Sequence, residues 1–516
     1  MRSRTLTLIA LCLAAFIIST DVTIVNVALP TLVRSLGSTT TELQWVVDAY
    51  SLVFAAFILA AGSLSDRQGR KGTLLTGLGI FAAGGLGGAF AGTVAELIAA
   101  RAVMGLGAAL MFPATLSILV NVFTGRGERA RAIGLWGATT GVGIAVGPIV
   151  GGWLLGSFWW GSIFLFMTIV AVAVGVLVAV AVPTSRDPRT PPIDWLGLGL
   201  STAGMTALVL GVIEAPTWGW SSAAAVLTIG AGVLILVVFV LAERRMRFPM
   251  LDVSLFRNPR FSAASAAVAI SFFALQGFIF LVTQYFQFVR SYSALDTGVR
   301  LLPVAISVAI TSVLGTKLAV RAGNKAVVAA GLVLFGGALL WISTSSATTP
   351  YLVIVGQMLV LGSGMGLTSA PATEAIMGAV PAEKAGAGSA VNDATRLFGG
   401  TLGVAVIGSV AASLFGSRLA ATLPAHLPGP AVAAAKGSVG GALIAAHGLA
   451  RAGLAGQAQQ LSSAAVHAFL YSQRGGCLVA AGVAFLGALL AAALLPARPR
   501  PVNADQPTRT AEQVVR

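Results

Sequence analysis

Apolar residues follow one another along this chain in unbroken runs of roughly 20, the length a helix needs to cross about 30 Å of hydrocarbon. The period-two alternation of a closed strand barrel, with segments of about 10 residues, does not occur in them. Charges and Pro/Gly breaks bound the runs. They predict helical spans near 7–29, 43–63, 73–92, 95–121, 131–156, 161–182, 195–214, 222–242, 261–289, 299–319, 325–345, 351–378, 386–415 and 473–495, fourteen in all. An even number sets both termini on one side. The first run holds Asp21 and Asn26 and has no small-residue cleavage site, so it reads as a retained span and not a signal peptide.

Composition narrows the class. Of 516 residues, 57% are hydrophobic and 9% charged, against about 25% charged in an ordinary soluble domain. That leaves too few polar groups to cover a water-facing surface, which excludes a soluble enzyme. The net charge is +15. The basic residues fall in alternate short loops, such as Arg67, Arg70, Lys71, Arg126, Arg129, Arg131, Arg186, Arg189, Arg244, Arg245, Arg247, Arg257 and Arg260. Lys317, Arg321, Lys325, Lys384 and the terminal Arg2, Arg4, Arg498 and Arg500 belong to the same set. This asymmetry predicts cytoplasmic termini. No basic stripe interleaves with aromatics, so no nucleic-acid partner is expected. Cys12 and Cys477 lie in apolar runs as small hydrophobes, with neither a disulfide framework nor metal spacing. The excess of Arg over Lys and the abundance of Ala and Gly hint at a bacterial source.

Four segments are expected: a six-helix bundle over 1–185, two inserted helices over 186–257, a second six-helix bundle over 258–497, and a disordered cytoplasmic tail over 498–516. The second bundle carries a long outer loop, 416–472, which could hold a short helix around Leu454, Leu461 and Val466 and is expected as a surface hairpin or partly disordered segment. An internal repeat supports two related halves. Leu64, Arg67, Gly69 and Lys71 recur at the same spacing as Leu318, Arg321, Gly323 and Lys325, with Asp66 replaced by Val320. Secondary transporters are built from such repeats.

Four motifs carry a resemblance. The first span reads Asp21-Val-Thr23-Ile-Val-Asn26-Val-Ala28-Leu29-Pro30; the loop at 62–74 reads GSLSDRQGRKGTL; the fourth span carries Arg101-Ala-Val-Met104-Gly105-Leu-Gly107; the fifth carries Gly143, Gly147, Pro148, Gly151 and Gly152. In this order the chain resembles the fourteen-helix drug:proton antiporters of the major facilitator superfamily. The two-helix insertion and Asn392-Asp393-x-x-Arg396 extend the likeness to the whole chain. Met104 stands where that motif usually has Gln. The resemblance implies an all-α membrane fold of 6 + 2 + 6 helices with pseudo-twofold related halves. It also implies a proton-coupling role for Arg101. The 62–74 loop (Gly62, Asp66, Arg67, Gly69, Arg70, Lys71) would be a cytoplasmic latch between rocking halves. The 143–152 run would be a bend that seals the cavity and marks an antiporter.

The residues support this independently. An ionisable group inside hydrocarbon costs about 2.5–3.5 kcal/mol on insertion scales and survives where it faces a bundle interior or a wet cavity. Asp21, Asp48, Arg101, Asp393 and Arg396 are such groups. A carboxylate removed from water takes up a proton more readily and can instead pair with a cationic substrate, so proton and substrate compete. Asp21, beside Thr23 and Asn26, is the leading acid. Asp48, only a few residues inside its span, is expected nearer water. Asp393 and Arg396, at i,i+3, could satisfy each other; Arg101 could pair with Glu96 or cap backbone carbonyls. Gln276, Phe280, Gln284 and Gln287 share roughly one helix face among Phe residues and, with Asn26, suit a pocket for flat lipophilic molecules.

No phosphate loop, nucleophile elbow or metal-binding cluster occurs, so neither enzyme activity, metal nor cofactor is expected. A proton moving down the membrane potential supplies about 2.3 kcal/mol per charge per 100 mV. The expected protein is a monomeric, proton-coupled exporter of drugs or antibiotics in a bacterial cell membrane, with small molecules, protons and the bilayer as partners. Export of a self-made metabolite or lipid stays open on the same residues. A non-transporting sensor is the third reading, though only the 416–472 loop has room for a soluble module.

Overall fold

The computed structural model describes residues 2–186, 193–380, 385–423 and 427–495. Arg189, Lys384 and the tail at 498–516 lie outside them. All regular structure among the described residues is helical. The first six helices are α1 (Arg2–Leu36), α2 (Thr40–Gln68), α3 (Arg70–Ala89), α4 (Val94–Val122), α5 (Arg126–Ser157) and α6 (Ser162–Ala181). The inserted pair is α7 (Trp195–Trp218) and α8 (Ala223–Glu243). Then come α9 (Pro259–Gln284), α10 (Ala294–Arg300), α11 (Leu302–Ala322), α12 (Asn324–Ile342), α13 (Tyr351–Met377) and α14 (Ala385–Thr422). α15 (Gly429–Gly437), α16 (Val439–Arg451) and α17 (Ala455–Leu494) end the described chain.

Fourteen of these segments are long and apolar enough to cross a membrane, α10 and α11 together forming the tenth. Pro303 at the start of α11 lacks a backbone donor, and the chain breaks there into two helices. Helix starts are set locally. Thr39 caps α2 with its hydroxyl accepting from Glu42 N at 3.3 Å, while Glu42 Oε2 accepts from Thr39 N at 2.8 Å.

Without a hydrophobic drive between helices in lipid, missing side chains decide how closely they approach. The two halves use the same device. A Cβ on Gly107 would stand 2.6 Å from Phe81 N and 2.7 Å from Gly77 O; one on Gly364 would stand 2.5 Å from Phe335 N and 2.7 Å from Gly331 O. The α3–α4 and α12–α13 crossings are therefore copies of each other. So are the turns before α3 and α12, where Gly69 (φ 122°) and Gly323 (φ 85°) adopt the left-handed backbone that glycine tolerates. Their N–H groups bond Ser65 O at 3.1 Å and Ala319 O at 2.9 Å. The repeat read from 64–71 and 318–325 is a geometric one.

The 416–472 segment departs from expectation. Its described residues are mostly helical, well beyond the one short helix allowed for: α14 extends to Thr422, α17 starts at Ala455, and α15 and α16 lie between. Ala-rich sequence favours helix. Ser438 caps α16 by accepting from Gly441 N at 3.0 Å, and Val439, Ala442, Ala446 and Leu449 recur at helical spacing as its buried face. We call the end that carries Arg2 and Leu494 the terminal end, and the opposite one the far end. α15 and α16 sit at the far end.

Candidate functional site

α1 and α4 bring Asp21 and Arg101 together inside the first bundle. Both are fully buried, with Arg101 Nη1 2.5 Å from Asp21 Oδ2. Arg101 Nε donates to Val46 O at 3.0 Å, and its guanidinium lies over the Tyr50 ring at 4.4 Å. Glu96, the alternative partner, instead accepts from Gly92 N at 2.7 Å. Asp21 is thus one member of a buried ion pair.

Asp48 is the free acid. It is buried, not near water, and neither carboxyl oxygen has a hydrogen-bond partner. The reason is the antiparallel packing of α2 on α14. Gln44, one turn earlier, donates to Val404 O at 3.1 Å, Ala405 O at 3.0 Å and Ser409 Oγ at 3.2 Å. Ser51, one turn later, shares a cavity wall with Leu397 and Gly400. Asp48 therefore lies level with the stretch between Gly400 and Val404, where Thr401 is also buried with an unpartnered hydroxyl.

Between the halves lies a cavity of about 150 Å³. Its apolar wall includes Ile18, Val22, Phe54, Ile58, Phe112, Phe272, Leu275 and Ile279. Its polar groups are Ser19, Thr23, Ser51, Thr140, Gln276, Asp393 and Arg396. Asp393 is the carboxylate on this wall among the described residues. Its pair with Arg396 is loose, 3.9 Å apart, because Arg396 Nη2 donates to Thr373 Oγ1 at 2.9 Å and its guanidinium lies 5.5 Å from the Phe272 ring.

The cavity is closed at the far end. α5 presses its glycine run against two helices: a Cβ on Gly147 would stand 2.9 Å from Thr20 O, and one on Gly151 2.7 Å from Ile24 Cγ1. One on Gly152 would stand 2.5 Å from Leu295 Cα and 2.6 Å from Ala294 O of α10, in the other half. Gly298 of α10 packs on the Pro148 carbonyl in return. Arg34 lies 5.7 Å from the Phe288 ring, and Gln287 donates to Val27 O at 2.9 Å. Thr40 Oγ1 donates to Gly437 O at 3.3 Å.

A family model described as Major Facilitator Superfamily matches residues 11–404. The chain belongs to the major facilitator superfamily. It is 39% identical over 426 residues to the Multidrug resistance protein Stp of Mycobacterium tuberculosis, covering 83% of this chain and 78% of that one. It is 35% identical over 439 residues to the Multidrug efflux pump LfrA of Mycolicibacterium smegmatis, covering 85% and 86%. Among solved structures it is similar to a bacterial homologue of the human lysosomal transporter Spinster in an inward-facing, unoccupied conformation. The TM-score is 0.67 at 16% identity, over 97% of this chain and 99% of that one.

The superfamily's loop motif is tied within its own half. Arg70 Nε lies 2.6 Å from Asp66 Oδ1, Arg70 N donates to Ser185 O at 2.9 Å, and Lys71 Nζ donates to Ala179 O at 2.7 Å. These bonds close the α2–α3 turn on the end of α6 and do not reach the second half. Gly62, another motif residue, would set a Cβ 3.7 Å from Pro113 Cβ, in ordinary contact.

The expected glutamine face separates. Gln276 lines the cavity, while Phe280 is core and Gln284 Nε2 donates to its own helix at Phe280 O, 3.1 Å away. α9 then widens into a π turn over Tyr285–Val289, which swings Gln287 to α1. Two successive steps of four residues also carry Gln284 about 80° around the helix from Gln276. Asn26 is buried, donates to Val22 O at 3.0 Å and does not line the cavity. Sequence reasoning missed Ser51 and Thr140, whose one signal is a hydroxyl inside an apolar run. It also missed Glu214, a carboxyl within α7 that accepts from Trp45 Nε1 at 2.9 Å.

Proposed function

We propose that this transporter exports lipophilic drugs, cations foremost, in exchange for protons by alternating access. The division that goes with it is 1–185 and 258–497 as rocking halves with 186–257 inserted. One chain holds the whole cavity, which suits a monomer, and no side-chain constellation for covalent chemistry is invoked. The basic loops support a cytoplasmic side for the terminal end. The far-end seal then faces outward, and this conformation takes substrate from inside.

The observation that carries the reading is the distribution of carboxyls. Asp393 is on the cavity wall, loosely paired among aromatic and aliphatic groups, where it can meet a cation. Asp48 is buried and unpaired at the seam between the halves, where binding a proton removes a desolvated charge. The Asp21–Arg101 pair holds the first bundle beside it. The relatives named for multidrug resistance and efflux fit this chemistry.

The test is uptake of a fluorescent cationic dye by inverted vesicles bearing this chain. An imposed proton gradient should drive uptake, and an uncoupler should abolish it. Uptake that survives the uncoupler but stops on ATP depletion overturns the reading.

A further inference from the structure

The inserted pair is not set apart from the moving seam. Met205, Val209, Val212 and Ile213 of α7 form one buried cluster with Leu52 and Ala55 of α2 and Ala405 of α14. α7 therefore covers, from the lipid side, the same α2–α14 seam that buries Asp48. Two polar bonds pin the insert there. Trp45 Nε1 of α2 donates to Glu214 Oε1 at 2.9 Å, and Trp220 Nε1 donates to Ser413 Oγ of α14 at 2.8 Å. One pin holds the first half and the other the second. If the far end is to open, α2 and α14 must separate, and both pins cannot hold.

We propose that the insert travels with the first half, that Glu214 is the positioning residue that keeps it there, and that the Trp220–Ser413 bond is the release point. Apolar contacts are non-directional and let α7 slide on α14. The polar pins are not equivalent. Losing Trp45 would leave a half-buried carboxyl within the apolar helix α7 without its partner. Losing Ser413 leaves only neutral groups unpaired, which costs less than leaving a carboxyl so. Held on α2, the insert keeps the Asp48 seam covered through the cycle. The inference rests on the transport reading above.

Tethering tests it, in full-length protein with Cys12→Ala and Cys477→Ala. One variant adds Trp45→Cys and Glu214→Cys, the other Trp220→Cys and Ser413→Cys. A cleavable bifunctional thiol reagent joins each pair, and gradient-driven dye uptake is read before treatment, after it, and after cleavage. The first variant should lose at least tenfold untreated and regain transport when joined. The second should transport untreated, stop when joined, and recover on cleavage. Glu214→Gln, which keeps an acceptor for Trp45, should transport, and Glu214→Ala should not. Transport by the joined 220–413 variant, or none by the joined 45–214 variant, overturns the proposal. Absence of gradient-driven uptake in the parent with neither pair sinks instead the transport reading itself.

Discussion

Arg101 reaches from α4 to Asp21 on α1 across 2.5 Å, while Asp48, on the neighbouring α2, has no partner at all. Two intramembrane acids that look alike in sequence are therefore unlike in chemistry. Removing one partner of a buried pair leaves an uncompensated charge, at a cost of about 3–5 kcal/mol. Removing an unpaired acid does not.

Asp21→Asn should accordingly be a stability variant first. Arg101 keeps an amide oxygen to bond but loses its counter-charge. Thermal unfolding in detergent should shift down clearly, with less protein recovered from the membrane. An unfolding curve that matches the unaltered protein would show that the pair contributes nothing to the fold.

Asp48→Asn should behave in the opposite way. No bond is lost, and an amide is less costly to bury than a charge. Melting should be unchanged or raised. Dye exchange down its own concentration gradient should persist, whereas accumulation driven by protons should vanish. Proton-driven accumulation at the unaltered rate would remove Asp48 from coupling.

Much of the fold was legible because lipid imposes a simple rule: apolar runs of sufficient length become helices, and the fourteen runs do so. The site was legible in its motifs and less so in its neighbours. The position of Asp48 along its span suggested water; its burial depends on α14, far along the chain, as the Gln44 bond to Val404, 360 residues away, shows. The glutamine stripe of α9 lost Gln284 to its own helix and Gln287 to a π turn that side-chain spacing does not announce. The 416–472 segment lacked a span-length apolar run, yet Ala-rich sequence and a serine cap were enough for α16 once α17 gave it a surface. Trp45 and Glu214 carry no motif, and their meeting is purely tertiary.

The far-end seal should fail when Gly152 gains volume. Its missing Cβ lets α10 approach to within 2.5 Å of where that carbon would be, and backbone cannot move aside as a flexible side chain can. Gly152→Val should insert normally but leave the two halves unable to close at that end. A membrane-impermeant thiol reagent added outside should label a cysteine placed at Thr140, on the cavity wall, faster than in the parent, and efflux should be lost. Equal labelling and normal efflux would show that α5 and α10 do not form the seal.

Asp393 should set preference for charge. It faces the cavity beside Phe272 and Gln276, and Arg396 is drawn off to Thr373, so a substrate cation competes only with a loose 3.9 Å pair. A hydrogen bond to a charged group contributes about 1.5–3 kcal/mol, roughly a 10- to 150-fold change in an equilibrium constant. Asp393→Asn should therefore weaken apparent affinity for a cationic dye by at least tenfold. A neutral substrate of similar size should change little, because its contacts are with the aromatic and aliphatic walls that the variant leaves in place. Arg396→Gln should act with the opposite sign, improving cation affinity by removing the competing guanidinium. The measurement is concentration-dependent uptake of one cationic and one neutral compound in both variants. Equal losses for the two compounds in Asp393→Asn would make that residue part of coupling instead of recognition, and would return cation binding to the uncharged walls.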